Sequence, residues 1–188
     1  MIVATNNKGK IEEIKSILGD NIYSLKEKNI SIDVIEDCDT FIGNATKKAK
    51  EIYSIVKEPV IADDSGLCID CLDGYPGVLT HRFLGEDATD EERNTYLINE
   101  VNKHTDRSCK FICSIVYYDG INTIVGEGIL KGNISKQKRG SNGFGFDEIF
   151  ELKNNKTLAE LSSNEKNKVS ARRLALNDLK NKLKEINK

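Results

Sequence analysis

The sequence predicts an α/β protein with a mixed β-sheet and helices on both of its faces. Three observations carry that expectation. The chain opens with a strand-like Ile2-Val3-Ala4, followed by Ile11, Ile14 and Leu18 at helical spacing. A second amphipathic stretch leads into another apolar run, Pro59 to Ala62. Further on, Asp119-Gly120 separates two strand-like runs, a strong signal for a hairpin and so for antiparallel pairing. Alternating strands and helices combined with a hairpin imply a mixed sheet.

The elements follow in order. Thr5-Asn6-Asn7-Lys8-Gly9-Lys10 is a polar turn opening the first helix, and Gly19 stops that helix. Ile32 to Ile35 reads as a short strand, followed by the acidic Glu36-Asp37-Cys38-Asp39. Thr40 can cap a helix to about Lys57 whose face is Phe41, Ala45, Ala49, Ile52 and Val56. The strand Pro59 to Ala62 then ends in Asp63-Asp64-Ser65-Gly66. Tyr75-Pro76-Gly77 is a turn, and Thr89-x-x-Glu92 is a capping box starting a helix to about Asn102. Lys110 to Tyr118 is apolar on both faces, a central strand. Its partner runs from Ile121 towards Ile134, with Gly126 and Gly128 marking bulges or close backbone approach. A glycine-rich loop, Gly140 to Asp147, precedes a short strand at Ile149-Phe150. Ser162-x-x-Glu165 starts the last helical region, which carries Val169, Leu176, Leu179 and Leu183.

The 188 residues suit one domain, residues 1–188, or two lobes sharing a sheet. The net charge of −2 supplies no bulk attraction to nucleic acid or to a membrane surface, and neither is expected as a partner. No apolar run reaches the length of a membrane span. The chain begins directly with Met1-Ile2-Val3-Ala4, without a basic segment and long apolar core, so a cytoplasmic protein is expected. Five cysteines, an odd count, point to reduced thiols. Cys68-Ile69-Asp70-Cys71 has metal-ligand spacing, but Cys109 and Cys113 lie in a strand-like run where cysteine behaves as a small hydrophobe.

Asp63 and Asp64 are the most informative pair. Adjacent carboxylates repel and resist desolvation, so a fold keeps them where a cation, usually a metal ion, sits; the alternative is an ordinary acidic turn. The turn Thr5 to Lys10 presents free N–H groups and a lysine suited to phosphate, or is a solvated helix start. Lys47 and Lys48 read as a solvated helix face. In the glycine-rich loop, Phe144 and Phe146 either stack on a planar ring such as a purine or plug the core at a bend. Lys166 and Arg172 would stand roughly 240° apart on one continuous helix, at about 100° per residue. They serve one ligand only if the helix breaks, and Ser170 is a fitting cap for a restart.

Together these blocks resemble the inosine triphosphate pyrophosphatases, also called XTP/dITP diphosphatases. Five stretches occur in that family's order: Thr5-x-Asn7-x-x-Lys10, Phe41-Ile42-Gly43-Asn44-Ala45-x-x-Lys48-Ala49, Ala62 to Leu67, Gly143 to Asp147, and Glu165-Lys166-Asn167-x-x-Ser170-x-Arg172. The resemblance implies two lobes around a long mixed sheet flanked by helices, usually a homodimer. It implies Mg²⁺-dependent hydrolysis of ITP, dITP and XTP to monophosphate and pyrophosphate, which cleanses the nucleotide pool. By the same resemblance Thr5, Asn7 and Lys10 would hold the triphosphate with Lys48 nearby, and Asp64 would be general base or metal ligand with Asp63 beside it. Ser65 would touch substrate. Phe144, Gly145, Phe146 and Asp147 would stack on and read the base, with Phe146 replacing the usual tyrosine. Lys166, Ser170 and Arg172 would contact base or phosphate.

Two positions depart from the family's pattern. Gly43 stands where a metal-binding Glu is usual, and Ala171 where a base-holding His is usual. Glu36, Asp37 or Asp39 could supply the carboxylate, and Gly43→Glu is expected to raise activity at limiting Mg²⁺. His81 could replace the imidazole or be a plain surface residue. The alternative to an active enzyme is a nucleotide-binding protein of the same fold with weakened catalysis or altered base preference.

Overall fold

The computed structural model describes residues 1–19, 21–32, 34–85 and 87–186. Among them the strands are β1 (Ile2–Val3), β2 (Tyr23–Ser24), β3 (Val60–Ile69), β4 (Ser108–Tyr118), β5 (Thr123–Ile134) and β6 (Phe150–Glu151). The helices are α1 (Lys8–Leu18), α2 (Phe41–Val56), α3 (Asp90–Val101), α4 (Ser163–Val169) and α5 (Ala171–Ile186). The strands form one sheet in the order β2-β1-β3-β4-β5-β6. β1 pairs in parallel with β2 and with β3, where Ile2 faces Val60 and Val3 faces Ile61. β5 pairs antiparallel with β6. The sheet is mixed, as expected.

The chain divides into two compact units. The first holds residues 1–65, 113–128 and 171–188; the second holds residues 66–112 and 129–170. β3, β4 and β5 contribute residues to both.

In the first unit, β1 and the start of β3 are buried under α2. Ala45, Ala49 and Ile52 of α2 are fully buried and pack with Ile2, Val60 and Val116. Thr40 caps α2 by accepting a hydrogen bond from the Gly43 N–H at 3.0 Å. α1 packs against α5, where Lys180 Nζ donates to the Ile17 carbonyl at 2.9 Å. α5 lies directly on β5. A Cβ on Gly126 would stand 2.3 Å from the Ala175 carbonyl oxygen, and one on Gly128 would stand 2.1 Å from that of Ala171. The two glycines therefore mark close backbone approach: any side chain there would hold the helix off the strand.

The second unit has its own core. Leu67, Ile69, Leu97, Ile134 and Phe150 are almost wholly buried in it, and Phe111 stacks on Phe150 at 4.6 Å. Capping boxes start α3 at Thr89–Glu92 and α4 at Ser162–Glu165.

Two expectations need correction. Residues 32, 34 and 35 are not in a strand, and Asp33 of that run lies outside the described residues; Val34 and Ile32 instead pack into the first core. β3 does not end before the acids but runs through them to Ile69, because Leu67 and Ile69 continue into the second core. The last helical region breaks where Ser170 offered a restart: α4 ends at Val169, Ser170 is extended at φ −60° and ψ 146°, and α5 begins at Ala171.

Candidate active site

The candidate residues fall into two groups, one in each unit. In the first unit, β3 carries Asp63, Asp64 and Ser65. Successive residues of a strand point to opposite faces, and the two aspartates have different surroundings. Asp63 is 1% exposed, and its Oδ2 lies 3.1 Å from Lys10 Nζ and 3.1 Å from Arg172 Nε. Its Oδ1 has no hydrogen-bond partner among the described residues. Burial alone would raise this carboxyl, but the charges of Lys10, Arg172 and Lys48 outweigh it and hold the group well below the usual carboxylate range.

Asp64 is buried too, but makes no direct ion pair among the described residues. Its Oδ2 accepts from Asn44 Nδ2 at 2.9 Å and its Oδ1 from the Ser65 N–H at 2.8 Å. Burial pushes its carboxyl upward and the negative charge of Glu36 adds to that, against the pull of Asn44, Lys48 and Lys10. One aspartate is thus locked as an anion, while its neighbour is biased towards taking up a proton or a cation.

Other residues complete this group. Lys48 Nζ donates to the Asp63 carbonyl at 3.0 Å and is paired with Glu36 Oε1, so it is not the solvated lysine its sequence suggests. Lys47 does face outward and pairs with exposed Asp37. Of the three candidate carboxylates, Glu36 alone is coupled to Asp64; Asp37 and Asp39 are exposed. Arg172 donates to Glu13 Oε2 at 2.9 Å and to Ser65 Oγ at 3.2 Å. Thr5 Oγ1 accepts from the Asn7 N–H, and Asn7 caps α1 by accepting from the Lys10 N–H at 3.2 Å.

Gly43 is closely packed. A Cβ there would meet Cys38 Cβ and Thr40 Oγ1, each at 2.9 Å. A side chain at this position must first displace Thr40, the cap of its own helix, and Cys38. Ala171 is buried at the α5–β5 contact, and His81 is exposed with its carbonyl held by Arg93.

In the second unit, the loop folds around Asp147. The Asp147 Oδ2 accepts from the Phe144 N–H at 2.8 Å and from Lys166 Nζ at 2.5 Å. A Cβ on Gly143, at φ +83°, would overlap that oxygen at 2.0 Å, so only glycine fits. The two phenylalanines divide the roles that the sequence left open. Phe146 is 6% exposed and stacks on Phe83 in the core, whereas Phe144 is 49% exposed with Lys166 Nζ 4.4 Å from its ring centroid. Ser170 is buried at the α4 terminus.

Sequence reasoning missed Glu13, Asp90 and Asn94. Glu13 is buried on α1, as are Ile14 and Ile17, yet nothing in the run Glu12-Glu13 distinguishes it from its exposed neighbour. Asn94 is buried on α3, where a polar residue one turn after a capping box reads as solvent-facing. All five cysteines are free thiols; burial pushes Cys113 up to about 12, which keeps it protonated.

A mixed α/β sheet whose third strand carries two buried aspartates, the first paired with Lys10 and Arg172, gathers the kinds of side chain that phosphate and cation chemistry uses. The chain belongs to the Ham1 family, whose sequence model matches residues 1–182. It is 42% identical over 192 residues to the dITP/XTP pyrophosphatase of Clostridium tetani, covering 98% of this chain and 96% of the relative. With the enzyme of the same name from Clostridium perfringens it shares 44% identity over 198 residues, covering 98% and 97%. A HAM1 protein from Coxiella burnetii superposes with a TM-score of 0.91 at 34% identity, covering 98% of both chains. The Staphylococcus aureus Ham1 protein gives the same TM-score at 37% identity and the same coverage.

Proposed function

We propose that the protein hydrolyses nucleoside triphosphates with deaminated purines, dITP, ITP and XTP, to the monophosphate and pyrophosphate, with residues 1–188 acting as one catalytic domain. The observation that carries the reading is Asp64: a buried carboxylate without an ion pair among the described residues, pushed towards its protonated form, on a strand whose preceding residue is locked between Lys10 and Arg172. The names of the relatives support the substrate class.

The donor set fits Mg²⁺. Asp64 and Glu36 repel each other, which a divalent cation would relieve, and Mg²⁺ is commonly held by one or two carboxylates together with substrate phosphates. Among the described residues no group of three or more ligating side chains stands ready, consistent with an ion that arrives with the nucleotide. When bound, Mg²⁺ supplies neutralisation of phosphate charge. Of the two aspartates expected as ligands, Asp64 keeps that role, while Asp63 anchors Lys10 and Arg172.

The protein's own groups account for the rest. Lys10, Lys48 and Arg172, with Thr5 and Asn7 at the start of α1, hold the triphosphate and favour departure of pyrophosphate. Asp64 orients the attacking water and accepts its proton as oxygen bonds to the α-phosphorus. Ser65 touches the substrate. In the second unit, Phe144 offers its exposed ring to the base. Phe146 anchors the loop from below, and Gly145, Asp147, Lys166 and Ser170 present the polar groups that read the base. A 6-oxo purine accepts hydrogen bonds where adenine offers an amine, so a site of fixed donors rejects adenine by leaving them unpaired. The protein works as a cytoplasmic homodimer, without nucleic acid or membrane as partner. No helix among the described residues is long and apolar enough to cross a membrane.

The test is pyrophosphate release from dITP, XTP, dGTP, dATP and dUTP, with Mg²⁺ and with EDTA, for the wild type and Asp64→Asn. Metal-dependent release from dITP and XTP, lost in Asp64→Asn while nucleotide still binds, is expected. Binding without release in the wild type would favour a nucleotide-binding protein of the same fold, and undiminished turnover in Asp64→Asn would remove that residue from the chemistry.

A further inference from the structure

The glycine-rich loop of the second unit is held from outside by helix α3. The Gly145 N–H donates to Asp90 Oδ2 at 2.8 Å, and the Gly145 carbonyl accepts from Asn94 Nδ2 at 3.0 Å. Asp90 and Asn94 are one helical turn apart, so they reach the same spot. Both peptide groups flanking Gly145 are thus fixed by a single element. Packing does not do this: Gly145 has φ +62°, and a Cβ built on it would meet nothing within 4 Å. Without those two hydrogen bonds, a glycine in open space is free to rotate its peptide groups.

Asn94 is an expensive residue for a merely structural contact. It is 1% exposed, and its Oδ1 has no partner among the described residues. A buried amide that leaves its acceptor unpaired is unfavourable, and an apolar residue would fill the same place without that cost. The hydrogen bond that Asn94 donates goes to Gly145. The next residue, Phe146, is pinned by stacking on Phe83 at 6.0 Å, and Arg93 of the same helix holds the Phe83 carbonyl at 3.2 Å.

We propose that Asp90 and Asn94 are positioning residues that set base selectivity by fixing the peptide groups on either side of Gly145. This rests on the reading that the loop 143–147 recognises the base. A donor aimed at a 6-oxo group discriminates only if it cannot turn away. If the Gly145 peptides rotate, a carbonyl can replace an N–H, and a base with the opposite hydrogen-bonding pattern is no longer rejected. Neither residue belongs to the group assigned to the triphosphate and the reacting atoms, so the effect is expected on the base alone.

The experiment compares Asp90→Ala, Asp90→Asn and Asn94→Leu with the wild type. It measures kcat and KM for dITP and dATP with Mg²⁺, inhibition by inorganic tripolyphosphate as a probe lacking a base, and thermal unfolding. In Asp90→Ala and Asn94→Leu the dITP/dATP ratio of kcat/KM should fall by about tenfold or more, with dITP affected through KM and tripolyphosphate inhibition within about twofold of wild type. Asp90→Asn keeps an acceptor for the Gly145 N–H and should restore the ratio. Asp90 is exposed, so Asp90→Ala decides the matter should Asn94→Leu fail to fold. An unchanged ratio in Asp90→Ala, or equal losses for dITP, dATP and tripolyphosphate, overturns the positioning role. A wild type that does not distinguish dITP from dATP overturns the base-reading assignment itself, and this inference with it.

Discussion

Replacing Arg172 with methionine keeps an unbranched apolar stem and removes the guanidinium with its charge. The wild-type guanidinium reaches Asp63 Oδ2 at 3.1 Å, Glu13 Oε2 at 2.9 Å and Ser65 Oγ at 3.2 Å. The side chains of Arg172, Asp63 and Glu13 are only 11%, 1% and 10% exposed, so water cannot replace what is lost. Removing one partner of a buried ion pair costs roughly 3–5 kcal/mol. At roughly 2–4 °C per kcal/mol for a chain of this size, the melting temperature should fall by about 6–20 °C. The deficit should depend on pH. The folded fold depresses the Asp63 carboxyl, so its contribution is fully present above the unfolded value, near about 4, and is lost as pH falls through the lower folded value. In the variant that depression shrinks, because one of the cations opposing burial is gone. The gap between wild type and variant should therefore be widest at neutral pH and close on acidification. Thermal unfolding at pH 7 and in steps from pH 4 down to about pH 2 measures both. Equal melting temperatures at pH 7, or a gap that widens over the acid steps, would refute the electrostatic account of this network.

Gly128→Ala should destabilise by about 1–3 kcal/mol or more, because its Cβ would overlap the Ala171 carbonyl at 2.1 Å and lift the start of α5 from β5. Since that end of α5 carries Arg172, turnover should drop with the melting temperature; an unchanged melt would refute the packing argument. Gly43→Glu should lose about 1–3 kcal/mol, given contacts of 2.9 Å to Cys38 and Thr40, without improved response to Mg²⁺. Higher activity at limiting Mg²⁺ would show that residues 36–40 yield easily.

Much of the fold was legible because it depends on local signals. The capping box at Thr89, the apolar face Ala45-Ala49-Ile52 and the turn at Asp119 each need only a few adjacent residues to be read. The break at Ser170 was legible as a condition, since Lys166 and Arg172 diverge on a continuous helix. The acids at Asp63 and Asp64 were found, but their separation was not: reading β3 as ending at Ala62 hid the alternation of the strand. Lys48 looked like a surface lysine because its partners, the Asp63 carbonyl and Glu36, lie on other segments. The ties from Glu13 to Arg172 and from Asn94 to Gly145 span long stretches of chain, and no local pattern announces such pairings.

The parallel pairing of β1 with β3, Ile2 with Val60 and Val3 with Ile61, has a meaning beyond holding the sheet together. In a strand, a slip by one residue turns every side chain to the opposite face. Such a slip would carry Asp64 into the place of Asp63, among Lys10 and Arg172, and bring Ser65 beside Asn44, leaving no acid in the proton-accepting position. Both aspartates would still be present, and the sheet would still form hydrogen bonds. The first two paired residues of the chain therefore act as a reading frame for the chemistry: a misfolded register and an inactive site are one and the same error.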